Sequence, residues 1–168
     1  MIGPPIHQRK DVHPMSVEVG QQAPDFTLVN QHGEEVTLSS FRGDKNVVLV
    51  FYPFAFSPTC TGELCAIRDE QSAIEGDDTV VLGISCDPKW ALKVYSEQQN
   101  FDYDLLSDFW PHGGVAQQYG AFLEDKGFAT RGTFIIDKAG VVRWAIVNSP
   151  GDARSTEDYK QAIQALAA

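Results

Sequence analysis

Six consecutive apolar residues, Val47-Val48-Leu49-Val50-Phe51-Tyr52, constrain the fold more than any other stretch of the chain. An unbroken apolar run rich in valine suits a strand that is covered on both faces. Such a strand needs a neighbour at each edge and a packed layer above and below it. Val80–Ser85 is a second run of the same kind.

The rest of the pattern supplies those neighbours. Phe26–Val29 and Val36–Leu38 are expected as short strands around a Gln31-His32-Gly33-Glu34 turn. Cys60–Ile74 is expected as one helix, with Leu64, Ile67 and Ile74 on a common side and Gly76-Asp77-Asp78 ending it. Pro88–Gln99 reads as a second helix, with Pro88 in its first turn and Asp87 as its cap. Leu105 and Leu106 suggest a third buried strand, and Val115–Tyr119 a short helix. Thr133–Asp137 and Val141–Val147 read as a hairpin turned by Lys138-Ala139-Gly140. Ser155 or Thr156 caps a last helix that ends near Ala167. The order βαβαβ asks for parallel strands with right-handed crossovers; the hairpin adds antiparallel strands and the last helix covers a face. The expected class is α/β with a thioredoxin-like fold: a central mixed sheet flanked by helices, with extra N-terminal strands.

With 168 residues the chain fits a single domain, expected over 15–168. Residues 1–14, MIGPPIHQRKDVHP, are polar and proline-bearing and are expected as a disordered leader or tag-like tail, with Met15 a candidate natural start. This tail has no apolar core of a secretory signal, and His7 and His13 within it read as solvated. A net charge of −10, with lysines and arginines scattered, argues against nucleic-acid and anionic-membrane partners. No apolar run approaches the length of a membrane span. Three cysteines, an odd count, make poor material for a secreted disulfide framework, so reduced thiols and a cytoplasmic location are expected.

Cys60 falls in the first turn of its expected helix, after Pro58 and Thr59, with Ser57 a good N-cap. Unpaired N–H groups and the helix dipole favour an anion there, and a thiolate is such an anion. A thiolate is a nucleophile, with peroxide oxygen among its targets. A buried structural thiol is the plainer alternative.

The motifs make one family specific. Pro53-Phe54-Ala55-Phe56-Ser57-Pro58-Thr59-Cys60 matches the peroxiredoxin pattern P-x-x-x-[TS]-x-x-C, and the chain resembles peroxiredoxins from Val17 to Ala168. APDFTL at 23–28 is similar to the family's opening strand, and RGTFIID at 131–137 to the segment bearing its active-site arginine. SDFWPHG at 107–113 and the Phe-Ala-Phe before Ser57 look most like the AhpE-type (alkyl hydroperoxide reductase E) subgroup. The resemblance implies a thiol peroxidase for hydrogen peroxide and organic hydroperoxides. Cys60 would be its peroxidatic cysteine, and Ser57 a hydrogen-bonding hydroxyl for the bound peroxide. Pro53 would shield the sulfur, Arg131 would hold the thiolate and polarise the O–O bond, and Glu63 would orient Arg131. It further implies a homodimer through the active-site face. The reductant would be a thioredoxin, a glutaredoxin- or mycoredoxin-like protein, or a low-molecular-weight thiol.

Cys65 departs from the AhpE type, whose members are often one-cysteine enzymes. Its C-x-x-x-x-C spacing from Cys60 resembles the bacterioferritin-comigratory-protein (PrxQ) subgroup, in which the second cysteine resolves the first. Five residues along a helix separate Cα atoms by roughly 8–9 Å, and a disulfide tolerates about 7 Å. The bond therefore requires the first turn to unwind, which Gly62 eases. The alternative is that Cys65 only packs, although it shares its side with Arg68, Asp69 and Ser72, which read as solvated. Cys86, at the end of a buried strand, reads as a core thiol, and His112 as a loop histidine beside the active site or a subunit interface. No cysteine–histidine pair has zinc spacing and no glycine loop cradles a phosphate, so neither metal nor cofactor is expected. Two other readings stay open: a one-cysteine peroxidase reduced directly by an external thiol, and a redox sensor that uses Cys60 to signal to a partner.

Overall fold

The computed structural model describes residues 17–75 and 78–167. The expectations for the N-terminal tail, for Met15 and for Gly76-Asp77 lie outside those residues. In chain order come β1 (Thr27–Asn30), β2 (Glu35–Thr37), a 3₁₀ turn at Leu38–Phe41, β3 (Asn46–Phe51), α1 (Pro58–Asp69) and α2 (Gln71–Glu75). Then follow β4 (Thr79–Ser85), α3 (Lys89–Gln99), β5 (Asp104–Ser107) and α4 (Gly114–Gln118). The last elements are β6 (Phe122–Leu123), β7 (Phe128–Ala129), β8 (Arg131–Ile136), β9 (Val142–Asn148) and α5 (Thr156–Ala167).

Seven strands form one mixed sheet in the order β2-β1-β5-β4-β3-β8-β9. The two apolar runs lie side by side at its middle, β3 and β4 running parallel from Val47↔Val80 to Phe51↔Ile84. β5 is parallel to β4, whereas β8 is antiparallel to β3 and β9 to β8. The N-terminal strands extend the far edge, β1 antiparallel to β5. This is the thioredoxin-like layout expected from the sequence.

The period of two along β3 divides the core. Val47, Leu49 and Phe51 join one cluster with Phe26, Ala116, Tyr119 and Phe134. Val48, Val50 and Tyr52 join the other, which holds Cys60, Leu64 and Ile67 of α1, Leu92 and Tyr95 of α3, and Tyr159 of α5. The reactive-cysteine candidate is therefore on the face where three helices cover the sheet.

Four expectations change. The helix expected over Cys60–Ile74 begins earlier, at Pro58, and is interrupted at Glu70, which caps α1 before α2 begins. Asp87 does not cap α3: the cap position is Pro88, with no side-chain bond, because the Asp87 carboxylate is engaged elsewhere. β8 starts at Arg131, two residues before the expected strand, which fixes that arginine within the sheet. The small hairpin β6–β7 was not foreseen; its strands are two residues each, too short for any period to show.

Gly113 places this hairpin against α4. Its φ is +67°, and an added Cβ would collide with the Phe122 ring of β6. Gly113→Ala is expected to destabilise the protein by about 1–3 kcal/mol, from left-handed strain and overpacking together. A lower urea midpoint at unchanged slope is the readout.

Candidate active site

β3 delivers the chain to a loop, Tyr52–Ser57, and the loop turns into α1. Ser57 has extended backbone and caps α1, its Oγ accepting the Cys60 N–H at 3.3 Å, with Pro58 at the start of the helix. Cys60 thus occupies the first turn and is fully buried. Pro53 is buried in the loop, and Phe54 and Phe56 flank the buried Ala55 as exposed rings. Phe56 has φ +69°, a conformation uncommon outside glycine. Asp87 holds this loop: its Oδ2 accepts the Ala55 N–H at 2.8 Å and the Ser85 hydroxyl at 2.7 Å. That bond to Ala55 is where the expected helix cap went.

Arg131 reaches the cysteine from β8, Nη1 donating to Cys60 Sγ at 3.4 Å. The same nitrogen pairs with Glu63 Oε1, and Nε donates to the Pro150 carbonyl at 2.7 Å. Glu63 lies one turn beyond Cys60 on α1 and is itself buried. Its second oxygen accepts the Arg154 backbone N–H at 2.8 Å and Arg154 Nε at 2.7 Å. Arg154 Nη1 continues to the carbonyls of Phe51 at 2.7 Å and Gly132 at 3.0 Å, and to Thr133 Oγ1. Two buried guanidinium charges thus face one carboxylate, with the thiol of Cys60 at the edge of the cluster.

The structure gathers Ser57, Cys60, Glu63 and Arg131 into one site with the Pro53 loop beside them. Sequence reading missed Arg154 and the loop-holding role of Asp87. Arg154 stands in an ordinary loop, Gly151-Asp152-Ala153-Arg154. The one available signal was that a buried carboxylate offers more lone pairs than a single arginine fills.

Cys65 is less solvated than its neighbours in sequence suggest. Asp69 and Ser72 are exposed, but Cys65 is half-buried, packs against the second core cluster and donates its thiol to Gln99 Oε1 at 3.4 Å. Arg68 is half-buried as well, bonding the Gln99 carbonyl. Cys86 is buried just past β4, and burial, reinforced by the nearby Asp108 carboxylate, pushes its thiol up to about 11. His112 contacts the Gly127 carbonyl at 2.5 Å and meets the Phe122 ring edge-on, so it serves the small hairpin. Among the described residues no group of three or more His, Cys, Asp or Glu side chains is placed to hold a metal ion, and no helix is long and apolar enough to cross a membrane.

The model of the AhpC/TSA family matches residues 19–145. The chain is 47% identical over 152 residues to alkyl hydroperoxide reductase E of Mycobacterium tuberculosis, covering 90% of this chain and 99% of that one. It is 40% identical over 134 residues to a putative peroxiredoxin bcp of Coxiella burnetii, covering 76% and 87%. Among solved structures, the peroxidoxin BcpB of Mycobacterium tuberculosis superposes with a TM-score of 0.78 at 32% identity, covering 89% of this chain and 98% of that one.

Two outcomes follow from the geometry. Glu63→Ala leaves two buried guanidinium groups without their carboxylate and should cost about 3–5 kcal/mol of stability in urea unfolding. At pH 8 only about one Cys86 thiol in a thousand is ionised. Iodoacetamide should therefore label Cys65 in the native protein long before Cys86, as peptide mass spectrometry can read.

Proposed function

This chain belongs to the AhpC/TSA family and is a peroxiredoxin, a thiol-dependent peroxidase, and from that premise we propose that Cys60 is the sulfur that attacks the peroxide. The observation that supports this most is the Arg131 guanidinium 3.4 Å from Cys60 Sγ at the N-terminus of α1. A thiolate there brings the formal charge of the Glu63–Arg131–Arg154 cluster to zero.

The Cys60 thiolate gives an electron pair to the nearer peroxide oxygen. The O–O bond breaks, an S–O bond forms, and the leaving alkoxide or hydroxide takes a proton to depart as alcohol or water. Charge moves from sulfur to the leaving oxygen. Arg131, already fixed by Glu63 and Pro150, stabilises that shift without reorganising. The Ser57 hydroxyl accepts from the Cys60 N–H and keeps its own proton to donate to the peroxide. Pro53 excludes water from the sulfur, and Arg154 acts through Glu63 as a second positioning arginine.

Cys65 then resolves the sulfenic acid. Its sulfur attacks the Cys60 sulfur, the S–O bond breaks, and hydroxide leaves as water with the thiol proton. A thioredoxin, a glutaredoxin- or mycoredoxin-like protein, or a low-molecular-weight thiol reduces the disulfide. Hydrogen peroxide and organic hydroperoxides are the proposed substrates. A homodimer through the exposed Phe54, Phe56, Phe109 and Trp110 and a cytoplasmic location complete the reading. The half-burial of Cys65 in the core favours a second reading, in which Cys65 packs and an external thiol reduces Cys60 directly.

Arg131→Gln should slow the oxidation of Cys60 by about 10²–10³-fold; stopped-flow kinetics with hydrogen peroxide would measure it, and a wild-type rate would remove the arginine from the mechanism. Intact mass after one equivalent of peroxide separates the two fates of Cys60. A loss of about 2 Da that vanishes in Cys65→Ser indicates the disulfide, whereas a gain of about 16 or 32 Da in both proteins indicates a one-cysteine enzyme.

A further inference from the structure

Three residues of the stretch from Cys60 to Cys65 are fastened to a single neighbouring piece of the protein. Thr61 Oγ1 and the Tyr95 hydroxyl share a hydrogen bond of 2.9 Å. The Tyr103 hydroxyl donates to the Leu64 carbonyl at 2.7 Å. The Cys65 thiol donates to Gln99 Oε1 at 3.4 Å. Tyr95 and Gln99 belong to α3, and Tyr103 lies in the connection from α3 to β5.

That piece is a firm anchor. Asn100 ends α3 in the left-handed region, φ +55°, and Phe101 bonds back to the Ser96 carbonyl at 3.1 Å. The rings of Tyr95, Phe101 and Tyr103 pack in succession, with centroids 5.3 and 5.2 Å apart. Burial raises both phenols, Tyr95 to about 12, so each keeps its hydroxyl proton at any working pH. The helix they hold is weak by contrast, because Gly62 sits in it with open space where a side chain would be.

Both cysteines lie within α1, too far apart for a bond while the helix is intact. Resolution therefore breaks these three attachments. We propose that Tyr95, Tyr103 and Gln99 form a clasp that sets how fast Cys65 reaches oxidised Cys60, and so how much peroxide the enzyme withstands. The inference rests on the resolving role proposed for Cys65. While the clasp is closed, the Cys60 sulfenic acid is open to a second peroxide: its sulfur loses two more electrons, the O–O bond breaks, and alcohol or water leaves a sulfinic acid behind. When the clasp opens, the Cys65 sulfur displaces hydroxide, which departs as water with the thiol proton, and the disulfide ends the competition.

The test is rapid acid quench of the reduced full-length protein at rising hydrogen peroxide, followed by intact mass. The first oxidation of Cys60 in each run is the internal reference. Tyr103→Phe keeps the ring and removes the bond to Leu64. It should speed disulfide formation about fivefold, the factor a neutral hydrogen bond contributes. The peroxide concentration for half overoxidation, read as a gain of about 32 Da, should rise by the same factor. Gln99→Ala, at a half-exposed position, should act in the same direction by about twofold, and reads the clasp even where Tyr103→Phe loosens the fold. Wild-type partition in both variants, with the disulfide still forming, overturns the clasp. A wild-type protein that never loses about 2 Da ends the resolving role of Cys65 and the clasp with it.

Discussion

Glu63 presents two oxygens, and each one faces a different arginine. Arg131 comes from the first residue of β8, and Arg154 from the loop that leads into α5. A carboxylate on the second turn of α1 thereby ties the helix to the sheet and to the C-terminal segment. Ion pairs this deeply buried lose much of their attraction to desolvation. Their worth lies in geometry, because one carboxylate fixes two guanidinium groups at once. The guanidinium beside Cys60 is held from two sides, and Arg154 is held by carbonyls of the neighbouring strands β3 and β8.

The loop before α1 is under a related constraint. Phe56 in a left-handed conformation is costly, of order 1–3 kcal/mol, and persists because the residues around it are pinned. Asp87 anchors Ala55, Ser57 caps the helix, and the Phe56 ring packs on Tyr95 with centroids 4.9 Å apart. These contacts fix the position of Cys60 relative to the Arg131 guanidinium. The same helix also carries Cys65. α1 is thus firm at Cys60 and Glu63, where the charge cluster holds it, and weakened at Gly62, between them. The two sides of α1 have different neighbours: the arginines on one side, and α3 with its following loop on the other.

Elements with strong local signatures were legible. β3 and β4 declared themselves by unbroken apolar runs, the β8–β9 hairpin by its turn, and the start of α1 by serine and proline in capping positions. The failures share a cause. β6 and β7 are too short to show a period. The interruption at Glu70 separates two helices that both have apolar residues on the core side, so the pattern runs straight through it. Asp87 satisfies every local rule for a helix cap, yet a buried N–H at Ala55, thirty-two residues earlier, takes its carboxylate instead.

The sequence by itself determined a central sheet with helices over it, a cysteine in the first turn of a helix, and a second thiol five residues on. Each is a property of neighbouring residues: apolar spacing, capping chemistry, helical pitch. Only the tertiary structure decided what surrounds that cysteine. Arg131 is 71 residues from Cys60, and Arg154 is 91 residues from Glu63. No local preference brings such residues together. They meet because β8 pairs antiparallel with β3, the strand that leads to Cys60, and because both oxygens of a buried carboxylate need hydrogen-bond donors.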